Sequence, residues 1–436
     1  MGYPNLFRGL LLISLIASGS SGANPPAPPL FYYKVDIGGL GPRNLTILKE
    51  DPLIQWWVEA DRTLLVRAGD GFLKSRGDMY RIERLADNPP ESSLAILQAG
   101  HTRDFRLLGA GVLVSGGRMM LISREPGASP PASALTTHAL VREFIPNLVF
   151  AASPENRPQP VLKGGPAEQE LDQIVAAVDE RLWFNMVDTL SAWDRRTGSA
   201  DMPTVRQWLI RTLEALPGME VREEKIAGAD RGYNIIGTLS GRVRPEDVIV
   251  IGAHYDAIAE TRQAFAAGAE DNASGTAAML EMARIIAAWP PAATVVFVAF
   301  GGEEQGLYGS RQYARQIRDT RETVKAVLTM DMIAWSSDKD PDVLIETARH
   351  ANFMAENLQA AALRYTNLRV LKTFNYWGSD HVPFLDQQMP AVLVIENDYQ
   401  SYPWYHHSGD TTERLDSAQA TGIIRMNLAA LAAGIW

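Results

Sequence analysis

From about residue 166 onward, short, continuously apolar runs alternate with segments that have helical spacing. The apolar runs are "YNIIGTL" (233–239), "VIVIGAH" (248–254), "TVVFVAF" (294–300), "VKAVLTM" (324–330) and "AVLVIEN" (391–397). The segments with helical spacing are 167–193, 202–216, 273–289 and 351–365. Apolar runs without polar interruption are typical of strands that are buried on both faces. The alternation therefore predicts an α/β fold, with a largely parallel sheet covered by helices on both faces.

The helix predicted over 273–289 has its own start and stop signals. Ser274 is a plausible N-cap, because its hydroxyl can accept a hydrogen bond from a backbone N–H of the first turn. Pro290 and Pro291 would end the helix, since proline cannot continue the pattern of backbone hydrogen bonds.

The first part of the chain follows a different pattern, with branched and apolar runs broken by Gly, Asp and Asn from about residue 30 to 125. This pattern predicts strands. Segments 125–133 and 153–166 are rich in Pro and Gly, and the second is predicted to be a domain boundary. We therefore predict a smaller β-rich domain over 24–155, without a cluster of candidate catalytic groups, followed by the α/β domain over 156–436.

Charge and composition narrow the classes of function. The 436 residues are 46% hydrophobic and 21% charged, with a formal net charge of -10. Such an acidic chain lacks the basic surface that binds nucleic acid or anionic lipid. It contains no cysteine, so it has neither disulfide bonds nor a thiolate for catalysis or metal binding.

Residues 1–23 have the layout of a secretory signal peptide. Arg8 precedes an apolar stretch over 9–17, and small residues at 21–23 offer a cleavage site. We expect export, to the periplasm or the extracellular space after cleavage. An uncleaved anchor is the alternative, although the apolar stretch is shorter than the roughly 20 residues of a membrane-spanning helix.

Acids and histidines follow directly on the predicted strands, where ligands bind in parallel sheets. They are His254, Asp256, Glu303, Glu304, Asp331 and Glu396, with Glu270, Asp271 and Asn272 before the helix at 273, and His406, His407 and Asp410 in "YHHSGDT" (405–411). A single polar residue at a strand end is usually a solvated loop residue. Carboxylates and imidazoles together are the ligands of zinc and similar ions. Converging acids repel one another unless a cation lies among them, so the pattern predicts a divalent metal site.

The residues around these positions resemble the M28 zinc peptidases, the co-catalytic di-zinc aminopeptidases and their relatives. The motifs, in order, are "GAHYDA", "GAEDNASGTAAMLE", "FVAFGGEEQGLYGSR", "TMDMIAW", "GSDHVPF" and "YHHSGDT". The resemblance extends over roughly 166–436. It implies a three-layer α/β/α fold with a mixed, largely parallel central sheet. It also implies a di-zinc metallopeptidase, most simply an aminopeptidase that hydrolyses N-terminal residues from peptides through a metal-activated water.

The resemblance assigns metal ligands to positions of this sequence. His254 and Asp331 would bind one zinc ion, and Glu304 and His406 would bind the other. Asp271 would bridge both ions and be followed by a cis peptide bond. Co²⁺ or Mn²⁺ would be replacements for Zn²⁺.

The resemblance also assigns the groups around the metals. Glu303 would be the general base, and Asp256 would accept the second ring N–H of His254. The tyrosine that polarises the scissile carbonyl is Tyr376 or Tyr405, by comparison with different relatives. His381 would either support this tyrosine site or make structural hydrogen bonds.

The last histidine ligand leaves two choices, because the sequence contains a doublet. His406 has the usual spacing of four residues before Asp410. His407 is the alternative ligand, and if it does not bind the metal it would lie next to the ligands. The aromatic segments 374–377 and 399–405 would line a pocket for the first substrate side chain, or pack as ordinary core.

Other functions on the same scaffold stay open. One is a glutaminyl cyclase-like single-zinc acyltransferase, although "GGEEQGLYGSRQYA" lacks the acidic insertion that follows the Glu pair in that class. Another is a carboxypeptidase or dipeptidase, which an arginine facing the pocket would favour. A third is a non-catalytic receptor. The expected partners are peptides with a free N-terminus, without nucleic acid and without membrane beyond export.

Overall fold

The structure is a computed structural model, and it describes residues 29–99, 111–124, 139–157, 160–161, 165–228, 230–320 and 323–435. The strands are β1 (Leu30–Asp36), β2 (Ile54–Asp61), β3 (Thr63–Gly69), β4 (Ile82–Arg84), β5 (Leu94–Ala99), β6 (Gly111–Gly116), β7 (Met119–Ser123), β8 (Ala139–Glu143), β9 (Leu148–Ala152), β10 (Met219–Lys225), β11 (Tyr233–Leu239), β12 (Arg244–His254), β13 (Ala293–Phe300), β14 (Thr323–Met330), β15 (Asp342–Thr347), β16 (Arg369–Thr373) and β17 (Ala391–Ile395). The α-helices are α1 (Pro42–Lys49), α2 (Gly71–Arg76), α3 (Glu168–Ala176), α4 (Glu180–Ser191), α5 (Met202–Glu214), α6 (Gly275–Ala288), α7 (Tyr308–Arg318), α8 (Asn352–Tyr365), α9 (Val382–Asp386) and α10 (Ser417–Ile435). The predicted signal peptide and the segment 125–133 lie outside the described residues.

The main sheet has 13 strands in the order β10-β11-β13-β12-β14-β17-β15-β16-β9-β2-β3-β1-β4. At its centre, β12 runs parallel to β13 and β14, and β14 runs parallel to β17. The pair β15–β16 is also parallel, whereas β10–β11, β11–β13 and β15–β17 are antiparallel. The sheet is therefore mixed, with a parallel centre.

Strand β12 shows why the predicted runs are apolar at every position. Ile249 and Ile251 face a cluster built by α3–α6, α8 and α10. Val248 and Val250 face the opposite side, against α7 and α9. Because alternate side chains point to opposite faces, a strand that is covered on both faces needs continuous apolar residues. Together with the mixed sheet, this confirms the predicted three-layer α/β/α fold.

Within the predicted α/β domain, three strands of the main sheet were not predicted. Strand β10 is an edge strand that pairs with β11 alone, so its sequence "MEVREEK" can stay charged and largely exposed. Strands β15 and β16 are short, and the polar residues around them resemble loops. Short strands are the elements that hydrophobic pattern identifies least well.

The structure adds one helix start and corrects the predicted cap of another helix. The segment with helical spacing over 167–193 forms two helices, because the Asp179 carboxylate begins α4 by accepting hydrogen bonds from the backbone N–H groups of Arg181 and Leu182. Ser274 does not act as the predicted N-cap. Its hydroxyl donates to the Glu270 carbonyl, 2.7 Å away, and accepts from the Ile333 N–H. It therefore connects two loops instead of capping α6.

The β-rich N-terminal region is joined to the same sheet. Strand β9 pairs with β2 on one side and with β16 on the other, through Ala152 opposite Lys372. Strands β5–β8 form a second, four-stranded sheet in the order β6-β7-β5-β8. The boundary near residue 155 stays a prediction. Within the described residues, every helix is too short or too polar to cross a membrane.

Trp183 anchors α4 to the loop that precedes α6. It is fully buried, and its indole N–H donates to the Ser274 carbonyl, 3.1 Å away. We expect Trp183→Ala to lower the free energy of unfolding by about 3–5 kcal/mol, because it leaves a cavity and removes this bond. Urea denaturation measures the loss. Leu182 is 42% exposed, so Leu182→Ala should cost less than about 0.5 kcal/mol. Equal losses of unfolding free energy in the two variants would contradict the anchoring role of Trp183.

Candidate metal centre

Acidic and imidazole side chains converge at the carboxyl edge of the parallel strands. His254 is the last residue of β12, Glu303 and Glu304 follow β13, and Asp331 directly follows β14. These strands are neighbours in the order β13-β12-β14. Their carboxyl ends therefore lie side by side, where ligands bind in sheets of this kind.

Asp271 lies at the centre of the cluster. Its Oδ1 is 3.3 Å from His254 Nε2, and its Oδ2 is 3.2 Å from His406 Nε2. The same His254 nitrogen is 3.3 Å from Asp331 Oδ1. The same His406 nitrogen is 3.1 Å from Glu304 Oε2. One carboxylate thus faces two imidazoles, and each imidazole faces one further acid.

Asp410 holds the loop that carries Asp271. Its carboxylate accepts hydrogen bonds from the backbone N–H of Glu270, at 2.9 Å, and of Asp271, at 3.0 Å. It also accepts from the Tyr402 hydroxyl, at 2.7 Å. Since Asp410 follows His406 by four residues, one turn of the chain supplies both an imidazole of the cluster and the group that fixes its central acid.

Two further residues fix the same loop. Asn272 is joined to Asp271 by a cis peptide bond, as the resemblance implies, and its amide donates to the Met330 carbonyl, 2.9 Å away. Arg195 is fully buried and donates to the Ala267 carbonyl at 2.7 Å. Burial lowers the pKa of Arg195 to about 10, so this guanidinium stays charged at neutral pH and offsets nearby acids.

Asp256 lies beside His254, but its carboxylate does not have the predicted partner. The Nδ1 atom of His254 is 3.0 Å from the backbone oxygen of Asp256 and 3.9 Å from its Oδ1. The carboxylate accepts from the backbone N–H of Glu303, at 3.2 Å, and of Glu304, at 3.3 Å. The ring of His254 is therefore oriented by a carbonyl, because the turn after β13 occupies the carboxylate.

The electrostatics of the cluster favour a cation at its centre. Burial raises the pKa of Glu303 well above 4.5 and that of Glu304 to about 7. Burial acts on Asp271 too, but its hydrogen bonds with His254 and His406 lower its pKa. Burial also opposes protonation of the imidazoles, yet the surrounding carboxylates raise the pKa of both well above 6.5. The carboxylates are therefore stabilised by any positive charge beside them, whether it is a protonated imidazole or a metal ion.

The two histidines of the doublet point to different places. His406 has a left-handed backbone conformation, with φ of 53°, so the imidazole that follows it turns away. The Nδ1 atom of His407 accepts from the Gly409 N–H at 3.0 Å, and its ring packs against Trp404. The same Nδ1 atom is 3.9 Å from Glu260 Oε2, and Glu260 lies outside the cluster. His406 therefore belongs to the cluster, and His407 does not.

The structure separates the two candidate tyrosines. Tyr405 lines the pocket above the cluster, and its ring stacks on His406 with centroids 3.7 Å apart. Burial raises the pKa of Tyr405 well above 10, so its hydroxyl keeps its proton. Tyr376 packs outside the pocket lining, against the edge of the His381 ring. His381 is itself fully buried, with Nε2 3.6 Å from Glu346.

Other acids named from the sequence lie outside the cluster. Glu270 accepts the Ala334 N–H at 2.8 Å, and Glu396 accepts the Asp398 N–H at 2.5 Å. Both carboxylates are fully buried. They position loops around the site and do not face the imidazoles.

Sequence reasoning assigned no role to several residues that shape the site. They are Asn272, Arg195, Asp410, Ser379, whose hydroxyl donates to Asp331 Oδ2 at 2.8 Å, and Arg118, which lines the pocket. Asn272, Asp410 and Ser379 lie inside the quoted motifs, so the motifs contained the signal. Arg195 and Arg118 lie outside them, and Arg118 comes from the β-rich N-terminal region.

The cluster contains three groups of side chains whose potential ligand atoms lie within 4.8 Å of one another in each group. They are His254, Asp271 and Asp331; Asp271, Glu304 and His406; and His254, Glu303 and Glu304. Nitrogen and carboxylate oxygen are suitable ligands for zinc. In the part of the chain that the structure describes, Glu304 Oε1 is buried without a hydrogen-bond partner, as expected for an atom that coordinates a metal.

The sequence profile of the family described as peptidase family M28 matches residues 234–431. The aminopeptidase YwaD of Bacillus subtilis (strain 168) is 32% identical over 188 residues, which are 42% of this chain and 40% of that protein. A probable zinc metalloprotease of Pyricularia oryzae is 28% identical over 332 residues, 63% of this chain and 66% of that protein. The chain thus spans 40% to 66% of the length of these curated relatives.

The fold has relatives among solved structures. LapB from Legionella pneumophila superimposes with a TM-score of 0.56 and 18% identity, over 77% of this chain and 98% of that chain. This likeness concerns the fold alone. The profile match includes His254, Asp271, Glu304, Asp331 and His406, the five side chains that face one another in the cluster. Residues 234–431 therefore have the sequence pattern of peptidase family M28.

Proposed function

We propose that the protein is a zinc-dependent aminopeptidase, which removes N-terminal residues from peptides. The observation that carries the proposal is the position of Asp271 between His254 and His406, with one carboxylate oxygen facing each imidazole. Glu303 lies in the lining of the same pocket. The names of the relatives, an aminopeptidase and a probable zinc metalloprotease, support the same chemistry.

Two zinc ions are proposed, with Co²⁺ or Mn²⁺ as replacements. His254 and Asp331 would hold one ion, Glu304 and His406 the other, and Asp271 both. When bound, the ions supply a nucleophile at neutral pH, because they lower the pKa of a coordinated water to about 7. Mass spectrometry of the purified protein for metal content tests the number of ions.

Glu303 would accept a proton from the attacking water. Burial raises its pKa, so its carboxylate is a stronger base than an exposed one and can pass the proton on to the leaving amine. Tyr405 keeps its hydroxyl proton in the same pocket and would donate a hydrogen bond to the oxyanion of the tetrahedral intermediate. Tyr376 lies outside the pocket lining and is the weaker choice for this role.

The acidic lining of the pocket suits a substrate with a free amino group. Among its carboxylates, Glu303 is the one that is not assigned to a metal ion, and its charge would attract an ammonium group. The test is a panel of aminoacyl-anilides and matching N-acetylated compounds. Hydrolysis that requires the free amine supports the proposal, and hydrolysis of the blocked compounds at equal rates refutes the exopeptidase part.

The cluster favours the peptidase over the single-zinc acyltransferase. A single ion would need only one of the two groups that share Asp271, yet both groups are complete. Incubation with N-terminal glutaminyl peptides tests the alternative directly, because cyclisation releases ammonia without breaking a peptide bond.

Export is proposed on the N-terminal sequence alone. Arg8, the apolar stretch over 9–17 and the small residues at 21–23 are its support. Expression in a bacterial host, followed by cell fractionation and mass spectrometry of the N-terminus, tests it. Cleavage near residue 23 and recovery outside the cytoplasm are the expected results.

The doublet offers a matched pair of variants. We expect His406→Ala to lose about one zinc ion per chain and at least about 100-fold in kcat/KM, since even partners of metal ligands contribute 10–100-fold. His407→Ala should keep its metal, because that ring faces Gly409 and Trp404. Metal content and anilide hydrolysis are measured on both proteins. Loss of zinc in the His407 variant alone would reverse the assignment.

A further inference from the structure

The pocket above the metal centre has a wall from the N-terminal region. Arg118 lies in the turn between β6 and β7, and its side chain lines the pocket together with Trp377, Gly378 and Tyr399. The guanidinium donates to the Trp377 carbonyl. The hairpin is held from the other side as well, because the Gln400 side chain donates to the Gly117 carbonyl. Arg118 thus occupies a fixed position in the pocket.

Arg118 is buried without satisfying all of its donors. It is 5% exposed, and its Nε is 3.4 Å from Glu346 Oε1. Both of these atoms lack a hydrogen-bond partner within the described residues. A guanidinium has five N–H donors in a rigid fork that matches a carboxylate. The Nε of Arg118 faces Glu346 and its Nη2 donates to the Trp377 carbonyl. Because the side chain lines the pocket, its other N–H groups are the ones that a substrate acceptor would engage.

The charge of Arg118 is unusual for its surroundings. Four carboxylates line the pocket, those of Asp271, Glu303, Glu304 and Asp331, and Arg118 is the one arginine or lysine among the described lining residues. Burial opposes its charge, but Glu346 beside it raises the pKa of Arg118, and the group stays ionised. A purely apolar substrate would bury this cation further without a new partner, which is costly.

We infer that Arg118 is a specificity-determining residue, which binds a carboxylate of the substrate in the pocket. The carboxylate has two possible sources, an acidic side chain at the first substrate position or the C-terminus of a dipeptide. The inference rests on the proposed aminopeptidase function and names its substrate class.

Paired substrates separate the two sources. Glutamyl- and glutaminyl-4-nitroanilide differ in side-chain charge at equal size, and alanyl-alanine and alanyl-alaninamide differ in C-terminal charge. We expect the charged member of one pair to be preferred by about 10- to 100-fold in kcat/KM, the usual scale of a charge-assisted hydrogen bond. No preference in either pair would overturn the inference.

Variants connect the preference to Arg118. Arg118→Gln should abolish it, and Arg118→Lys should keep only part of it, because an ammonium lacks the fork. Removing Arg118 alone leaves Glu346 buried without its cation, so the double variant Arg118→Gln/Glu346→Gln removes both charges and protects folding. Arg62→Gln, which breaks a more exposed ion pair with Glu155 in the N-terminal region, is the matched control. A preference that survives in the double variant contradicts the inference.

A binding measurement distinguishes this inference from the proposed function. The same four compounds are titrated calorimetrically into the Glu303→Gln protein, with and without Arg118→Gln. Tighter binding of the charged compound, lost with Arg118→Gln, supports the inference even if no compound is hydrolysed by the wild type. Hydrolysis of the neutral compounds combined with equal binding of charged and neutral members leaves the peptidase standing and refutes the role of Arg118.

Discussion

Glu303→Gln is expected to lower kcat by about 100- to 10,000-fold, the range attributed to general acid–base catalysis. The amide has nearly the shape of the carboxylate but cannot accept a proton from water. Glu303 lies outside the two groups that share Asp271, although it forms a third group with His254 and Glu304. Since the amide keeps one oxygen and the assigned ligands are unchanged, the variant should keep both metal ions. Hydrolysis of an aminoacyl-anilide and metal content are measured on the same preparation.

The matched control for this variant is Glu246→Gln. Glu246 lies on the same strand as His254 but at its exposed end. The control therefore makes the same Glu-to-Gln change at a position away from the pocket. Its rate should equal that of the wild type. Unchanged turnover in the Glu303 variant, with full metal content, would remove Glu303 from the mechanism.

Asp271→Asn is expected to remove both metal ions and all detectable activity. Its carboxylate faces His254 and His406, so one substitution weakens both metal positions at once. Bound metal stabilises the folded state by about 2.7–4.1 kcal/mol at 100 to 1,000 times its Kd. Chelation should therefore lower the Tm of the wild type and leave that of the variant unchanged.

Differential scanning fluorimetry with and without chelator measures this difference. The control is Asp319→Asn, at a side chain that is 68% exposed, and its Tm should fall on chelation by as much as that of the wild type. A variant at Asp271 that still loses stability on chelation would show that metal binds elsewhere.

The sequence predicted those parts of the molecule that are set by local pattern. The runs around β11–β14 and β17 are apolar because both sheet faces are covered, and this can be read directly from their residues. The residues of the metal cluster were found because they follow strand ends within motifs. Charged edge strand β10 was missed, since an edge strand buries too little to need an apolar pattern.

The parts that could not be predicted depend on contacts between distant segments. The carboxylate of Asp256 was assigned to His254, but the turn at Glu303 competes for it, and the sequence does not show which partner wins. His406 and His407 are adjacent and chemically identical. The spacing to Asp410 favoured His406, and the structure brings this residue, with its left-handed φ of 53°, to Asp271 and Glu304. Arg118 lies 136 residues before His254 in the chain, so only folding brings it to the pocket.

Two contacts hold the hairpin that carries Arg118 against the segments around the metal cluster. The guanidinium donates to the Trp377 carbonyl, and the Gln400 side chain donates to the Gly117 carbonyl. Catalytic chemistry and choice of peptide are consequently encoded in different stretches of the gene. Substitutions in the hairpin can change the substrate preference without changing the residues proposed for hydrolysis. Relatives with a different N-terminal portion are therefore expected to differ in substrate range while they share the residues proposed for hydrolysis.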